Sequence, residues 1–148
     1  MGARRKGREL AVQALYQIEL SGESSDATLR PFFENADAGS RAKEFAAALV
    51  DGVRAHQAHL DELISQASQH WRFERLSRVD LNVLRVAAYE LSKTPEVPTS
   101  VVIDEAIEIA RRFGTEESAE FVNGILDQIA GQLGVREDAS QRSTGGDG

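Results

Sequence analysis

The chain has 148 residues, 41% of them hydrophobic and 28% charged, with no cysteine. That is enough for one domain with a real core. It excludes thiolate metal sites, disulfides and thiol catalysis. No apolar run reaches the ~18 residues of a membrane span, and the N-terminus lacks the apolar core of a signal peptide, which agrees with a cytoplasmic protein. The net charge of −7 argues against nucleic acid until its distribution is considered. Four of the 17 basic residues (Arg4, Arg5, Lys6 and Arg8) fall in the first eight positions with no acid among them, leaving 13 basic against 24 acidic residues elsewhere. One end of an acidic protein is therefore strongly cationic.

In chain order, the first helix is expected over Ala3–Leu20, ended by Ser21-Gly22. At 100° per residue Leu10, Ala11, Ala14, Leu15 and Ile18 share one face. Arg5, Val12 and Tyr16 lie together on the other side, with Arg8 at their edge. A tyrosine beside guanidinium groups offers a ring for base stacking and charge for phosphate. A solvated basic helix end with a surface tyrosine has the same composition. A short helix is expected over Thr28–Asn35, with Pro31 in its first turn and Phe32 and Phe33 inward. Ser40 is expected to cap a single long helix reaching about Gln69, with the stripe Phe45, Leu49, Val53, His56, Leu60, Ile64 and Ala67. At ~1.5 Å per residue it would be a spine of about 42 Å. Gly52 is a candidate close-packing point within it. His70–Arg75 reads as a short turn or helix, with Trp71 and Phe73 available to pack.

The stretch from Trp71 to Ile129 organises the chain. Ser77 precedes an apolar run (Val79, Val83, Leu84, Ala87, Ala88, Leu91) with Asp80 three residues on, which marks a helix start with an acid at its positive end. Pro95 and Pro98 end that helix near Ser92. The next helix starts at Thr99 or Ser100 and carries Ile103, Ala106, Ile107, Ala110 and Phe113, with Gly114 expected in the left-handed conformation at its end. A further helix starts at Thr115 and carries Phe121, Val122, Ile125, Leu126 and Ile129. Gly124 inside it costs about 1 kcal/mol relative to alanine, which a close backbone contact with a helix or a ligand would explain. Residues 134–148 (GVREDASQRSTGGDG) show no apolar period and are expected to form a disordered tail to a 1–133 domain.

Motifs for chemistry are sparse. His56, His59 and Glu62 lie at three-residue spacing but lack further ligands nearby, so they read as a core-edge histidine and two surface groups, and no metal is expected. Asp104, Glu105 and Glu108 read as a solvated face or a surface for a basic partner; no histidine follows a Glu at the di-iron spacing. There is no phosphate loop and no nucleophile elbow, hence no positive case for an enzyme or a cofactor.

The runs RRKGRELAVQALYQ, LSRVDLNVLRVAAYEL, VVIDEAIEIARRFGTEES and FVNGILD together resemble the NusB family of bacterial transcription antitermination factors, from Ala3 to about Leu133. The resemblance implies an all-α fold of about seven helices in two packed bundles, without catalysis. It implies binding of single-stranded boxA-type RNA from ribosomal RNA leader transcripts, with the small-subunit ribosomal protein NusE as partner and with other Nus factors and RNA polymerase reached indirectly. By position it implies RNA contacts from Arg4, Arg5, Lys6, Arg8, Tyr16, Glu117 and Phe121, although Phe121 could equally be a core ring. Glu74 and Asp80 match acidic positions of the NusE face, where acids suit a basic partner. The chain departs from the family pattern at Leu81-Asn82 and at Ala119. Some members self-associate, so a homodimer stays open. Two other readings are the RNA-targeting domain of a ribosomal RNA cytosine methyltransferase and a helical adaptor that binds only protein.

Overall fold

The computed structural model describes residues 2–22, 25–68 and 76–135. Among them are seven helices: α1 (Gly2–Ser21), α2 (Ser25–Asn35), α3 (Ser40–Ala55), α4 (Gln57–Ala67), α5 (Arg78–Lys93), α6 (Thr99–Phe113) and α7 (Ser118–Leu133). The fold is all-α. Helix α1 packs on α2 and α3, α4 to α7 form a second group, and α5 touches α1 and α3 as well as its own bundle. No helix among the described residues is long and apolar enough to cross a membrane.

Helix α5 is the centre of the molecule. The Ser77 Oγ accepts from the Asp80 N–H at 3.0 Å, the cap that its sequence anticipates. Asp80 in the first turn and Lys93 in the last oppose the helix dipole at both ends. Every residue from Asp80 to Ala88 is buried, far more than the one apolar stripe expected, because α1, α3, α4, α6 and α7 all pack on this helix. Four polar side chains, Asp80, Asn82, Arg85 and Glu90, are thereby taken into the interior. Each needs partners, since an unpaired polar group there costs about 1–3 kcal/mol and more for a charge.

The long helix expected from Ser40 is broken in two. His56 leaves helical geometry (φ −117°, ψ 16°), and its N–H is shared between the Gly52 and Val53 carbonyls. The apolar stripe continues through the break with Leu49, Val53, Leu60 and Ile64 buried, so its period hides the change of direction. The bend serves the two-bundle plan: α3 packs on α1 and α4 packs on α7. Tyr89 of α5 wedges at the joint. Its ring stacks on His56 at 6.1 Å and lies where a Cβ on Gly52 would be, so Gly52 is the close-packing point expected.

Other boundaries shift for local reasons. Gly39, extended and without a side-chain bond, holds the cap position given to Ser40. Helix α2 begins at Ser25, so Pro31 falls inside it rather than in its first turn. Gly114 is not left-handed (φ −100°). It is glycine because a Cβ would meet the Ser118 side chain and lie 2.7 Å from the Ala110 carbonyl. Thr115 to Glu117 form the turn before α7 rather than its first residues, closed by Ser118 N–H to the Thr115 carbonyl. Gly124 meets no neighbour within 4 Å, which removes the helix contact offered for it. Order runs past the expected boundary at 133: left-handed Gly134 ends α7, Val135 packs on the core, and the Thr99 Oγ1 donates to the Val135 carbonyl at 2.8 Å. Trp71, Phe73, Glu74 and residues 136–148 lie outside the described residues.

Candidate nucleic-acid interface

Helix α1 runs antiparallel to α5, and side chains pin both ends of the pair. Near the start of α1, Arg8 meets Glu90. Near its end, Glu19 accepts from Arg78 (2.9 Å), Asn82 (2.7 Å) and Arg85 (3.2 Å). The same Arg85 makes a two-pronged pair with Asp61 of α4 at 2.7 and 2.9 Å, so three helices are tied at one point. Such forked arginine–carboxylate pairs fix geometry as well as charge.

The cationic residues of α1 fall into unlike environments. Arg4 is exposed, its guanidinium 5.9 Å from the centre of the Phe45 ring, and Lys6 is half-buried. Arg5 is half exposed and donates through Nε and Nη2 to the two oxygens of Glu105 on α6, at 3.1 and 2.7 Å. Hydrogen bonding from Arg5 holds the Glu105 carboxyl below the ordinary glutamate range. Partial burial opposes that shift, and the charges of Arg5 and Arg8 add to it. The same contact raises Arg5 above its usual value.

Arg8 corrects the expectation of a rim residue. It is 4% exposed, donates to both oxygens of buried Glu90 at 2.7 and 2.9 Å, and lies over Phe45 at 5.4 Å. Its guanidinium is enclosed by Glu90 of α5 and faces Glu105 of α6. The physical reason is that α1 has no free back. Val12, placed by the wheel beside Arg5 and Tyr16, is buried and with Arg8 lines a small pocket against Val83, Val102 and Ile109. The wheel sorted α1 into an inner and an outer face, whereas α3 covers one and the second bundle covers much of the other.

The remaining candidates gather at the opposite end of α1. Tyr16 is half-buried, one turn before Glu19 and hence beside the start of α5. Asp80, at that start, is no surface acid. It is 8% exposed, its Oδ2 accepts from the Ser118 Oγ at 3.1 Å, and its Oδ1 is enclosed without a partner. Burial behind Ser118 removes it from direct contact with a basic protein, which corrects the role given to it. Ser118 also accepts from the Thr115 N–H at 2.9 Å, so Asp80 fixes the turn that opens α7. That turn carries exposed Glu117, and Phe121 follows one helical turn later, half-buried and packed on the core. Glu74 lies outside the described residues.

Of the seven residues expected to touch RNA, Arg8 is buried and the other six fall into two groups. Arg4, Arg5 and Lys6 stand at the front of α1; Tyr16, Glu117 and Phe121 stand around the start of α5. From Arg5 to Tyr16 is 11 residues, about 16 Å along the helix. Sequence reasoning missed Glu90 and Glu105. Glu105, expected on a solvated or partner-facing surface, meets a basic group of this same chain, 100 residues away.

The model of the NusB family matches residues 5–131. The chain belongs to the NusB family. It is 47% identical over 134 residues to the transcription antitermination protein NusB of Sorangium cellulosum, covering 90% of this chain and 96% of that protein. Among solved structures, T. maritima NusB is similar at 39% identity with a TM-score of 0.78, covering 95% of this chain and 96% of that one. A second likeness, at 28% identity and a TM-score of 0.76 over 89% of this chain and 98% of that one, is to a crystal structure of the antitermination factors NusB and NusE in complex with dsRNA. Family membership agrees with the all-α fold and with the sequence motifs that carried the resemblance.

Proposed function

We propose that this chain is a transcription antitermination factor that binds boxA-type RNA of ribosomal RNA leader transcripts together with NusE. It acts in the cytoplasm by binding rather than catalysis and reaches other Nus factors and RNA polymerase through that assembly. The likeness to a NusB–NusE complex holding dsRNA carries the reading. The charge layout supports it: a cationic front on α1 belongs to a protein whose remainder has an excess of acid. Arg4, Arg5 and Lys6 contact phosphates, which position a strand without reading its sequence. Tyr16 and Phe121 supply rings, and Glu117 an acceptor for base amino groups. Glu74 is the acid assigned to the basic partner by its sequence position, while Asp80 holds the start of α7 in place.

Titration of boxA-type, scrambled and duplex RNA, with and without NusE, tests this. The expected result is preferential binding of the boxA-type strand, strengthened by NusE, with affinity falling steeply as salt rises from 50 to about 200 mM. Binding of NusE with no RNA shift under any salt would make the chain a protein-only adaptor instead.

A further inference from the structure

Glu105 occupies the fork of the one front-end arginine that is both exposed and paired. Its carboxylate takes Arg5 Nε and Nη2, the edge with which an arginine grips a phosphate in two-pronged fashion. Behind it stands a second guanidinium. Arg8 spends Nε and Nη2 on Glu90, leaving Nη1 turned toward Glu105 at 3.8 Å, just beyond hydrogen-bond distance. The Glu105 side chain is 14% exposed against 50% for Arg5, so the carboxylate is the seated partner and the arginine the one free to swing. A shift of about 1 Å would bring Glu105 into contact with Arg8.

We propose that Glu105 is an intramolecular competitor for phosphate at Arg5, and that buried Arg8 receives it when RNA docks. In the free protein Glu105 neutralises Arg5. When a strand arrives, its phosphate takes the Arg5 fork and Glu105 settles on Arg8 Nη1, so no carboxylate is left beside the phosphate without a counter-charge. Arg8 is then a positioning residue: it never touches RNA, yet it keeps the carboxylate from opposing it. Because the competition is for phosphate, it weakens every RNA alike and lets the base contacts around Tyr16 and Phe121 decide which strand stays. The proposal rests on the RNA-binding reading above.

The test is fluorescence anisotropy of the full-length chain with boxA-type and scrambled RNA across a salt series, using Glu105→Gln, Arg5→Gln and the double variant. Glu105→Gln is expected to bind both RNAs two- to five-fold more tightly. Its plot of log affinity against log salt should keep the wild-type slope, because the phosphate reaches the Arg5 fork in both complexes. The double variant should bind as Arg5→Gln does. In the wild-type protein, where no substitution can disturb folding, the Arg5 and Arg8 Nε–H resonances should both move on adding RNA. If Glu105→Gln binds no better than wild type while Arg5→Gln binds worse, or if the Arg8 resonance stays still as Arg5 moves, the competition is overturned and the RNA interface stands. If wild type binds neither RNA, the interface fails and the competition with it.

Discussion

The two ends of the α1–α5 pair use charge in opposite ways. At the front, arginines outnumber the carboxylates that reach them, and what is left over, Arg4 and Lys6, shows no ion pair among the described residues. At the far end the carboxylates Glu19, Asp61 and Asp80 are consumed by Arg78, Arg85, Asn82 and Ser118, and rings stand nearby. One end has surplus cation beside buried acid; the other spends most of its charge internally and carries Tyr16, Glu117 and Phe121. An exposed charge can be given to a ligand, whereas a buried pair can only shape what surrounds it. That is why Arg5 and Arg8, three residues apart, have different jobs.

The largest effect that would break this contrast is at Arg8. Arg8→Ala leaves Glu90 charged and alone in the interior, and about 3–5 kcal/mol of stability should be lost in urea unfolding. A change within 0.5 kcal/mol would mean that Arg8 is not buried and the front end is a plain cationic rim. Next comes Ser118→Ala, which strips Asp80 of its donor and should cost roughly 1–3 kcal/mol. It should also weaken RNA binding through the displaced start of α7. Full affinity in a destabilised variant would detach Glu117 and Phe121 from the interface.

Tyr16→Ala and Arg4→Gln sharpen the comparison without unfolding the protein. Both should weaken RNA binding, but only Arg4→Gln should flatten the salt dependence, by roughly 0.7 in slope. Equal salt slopes for the two variants would erase the distinction between the ends. The smallest effect is in pH. Glu105 is more acidic folded than unfolded, so its stabilising contribution is complete above the ordinary glutamate range and is lost as pH falls through its lower folded value. Thermal melts of wild type and Glu105→Gln should differ slightly at neutral pH and converge in acid. A gap that persists there would mean that Glu105 acts through packing rather than charge.

Much of the α-helical plan was legible because burial leaves a local period. Ser77 and Asp80 announced the start of α5, and Gly52 announced a close approach. The break at His56 was not legible, since Leu60 and Ile64 keep the spacing of Leu49 and Val53 while the helix turns. Nor was the order at Val135, which depends on Thr99 from another helix.

By itself the sequence determined which stretches are helical, which faces are apolar, and that cation is concentrated in the first eight residues, all properties of neighbours within a few positions. Only the tertiary structure decided which of those cations remain available. Glu90 and Glu105 lie 82 and 100 residues from the arginines they meet. A Coulomb partner is chosen by distance in space, and no spacing along the chain encodes it.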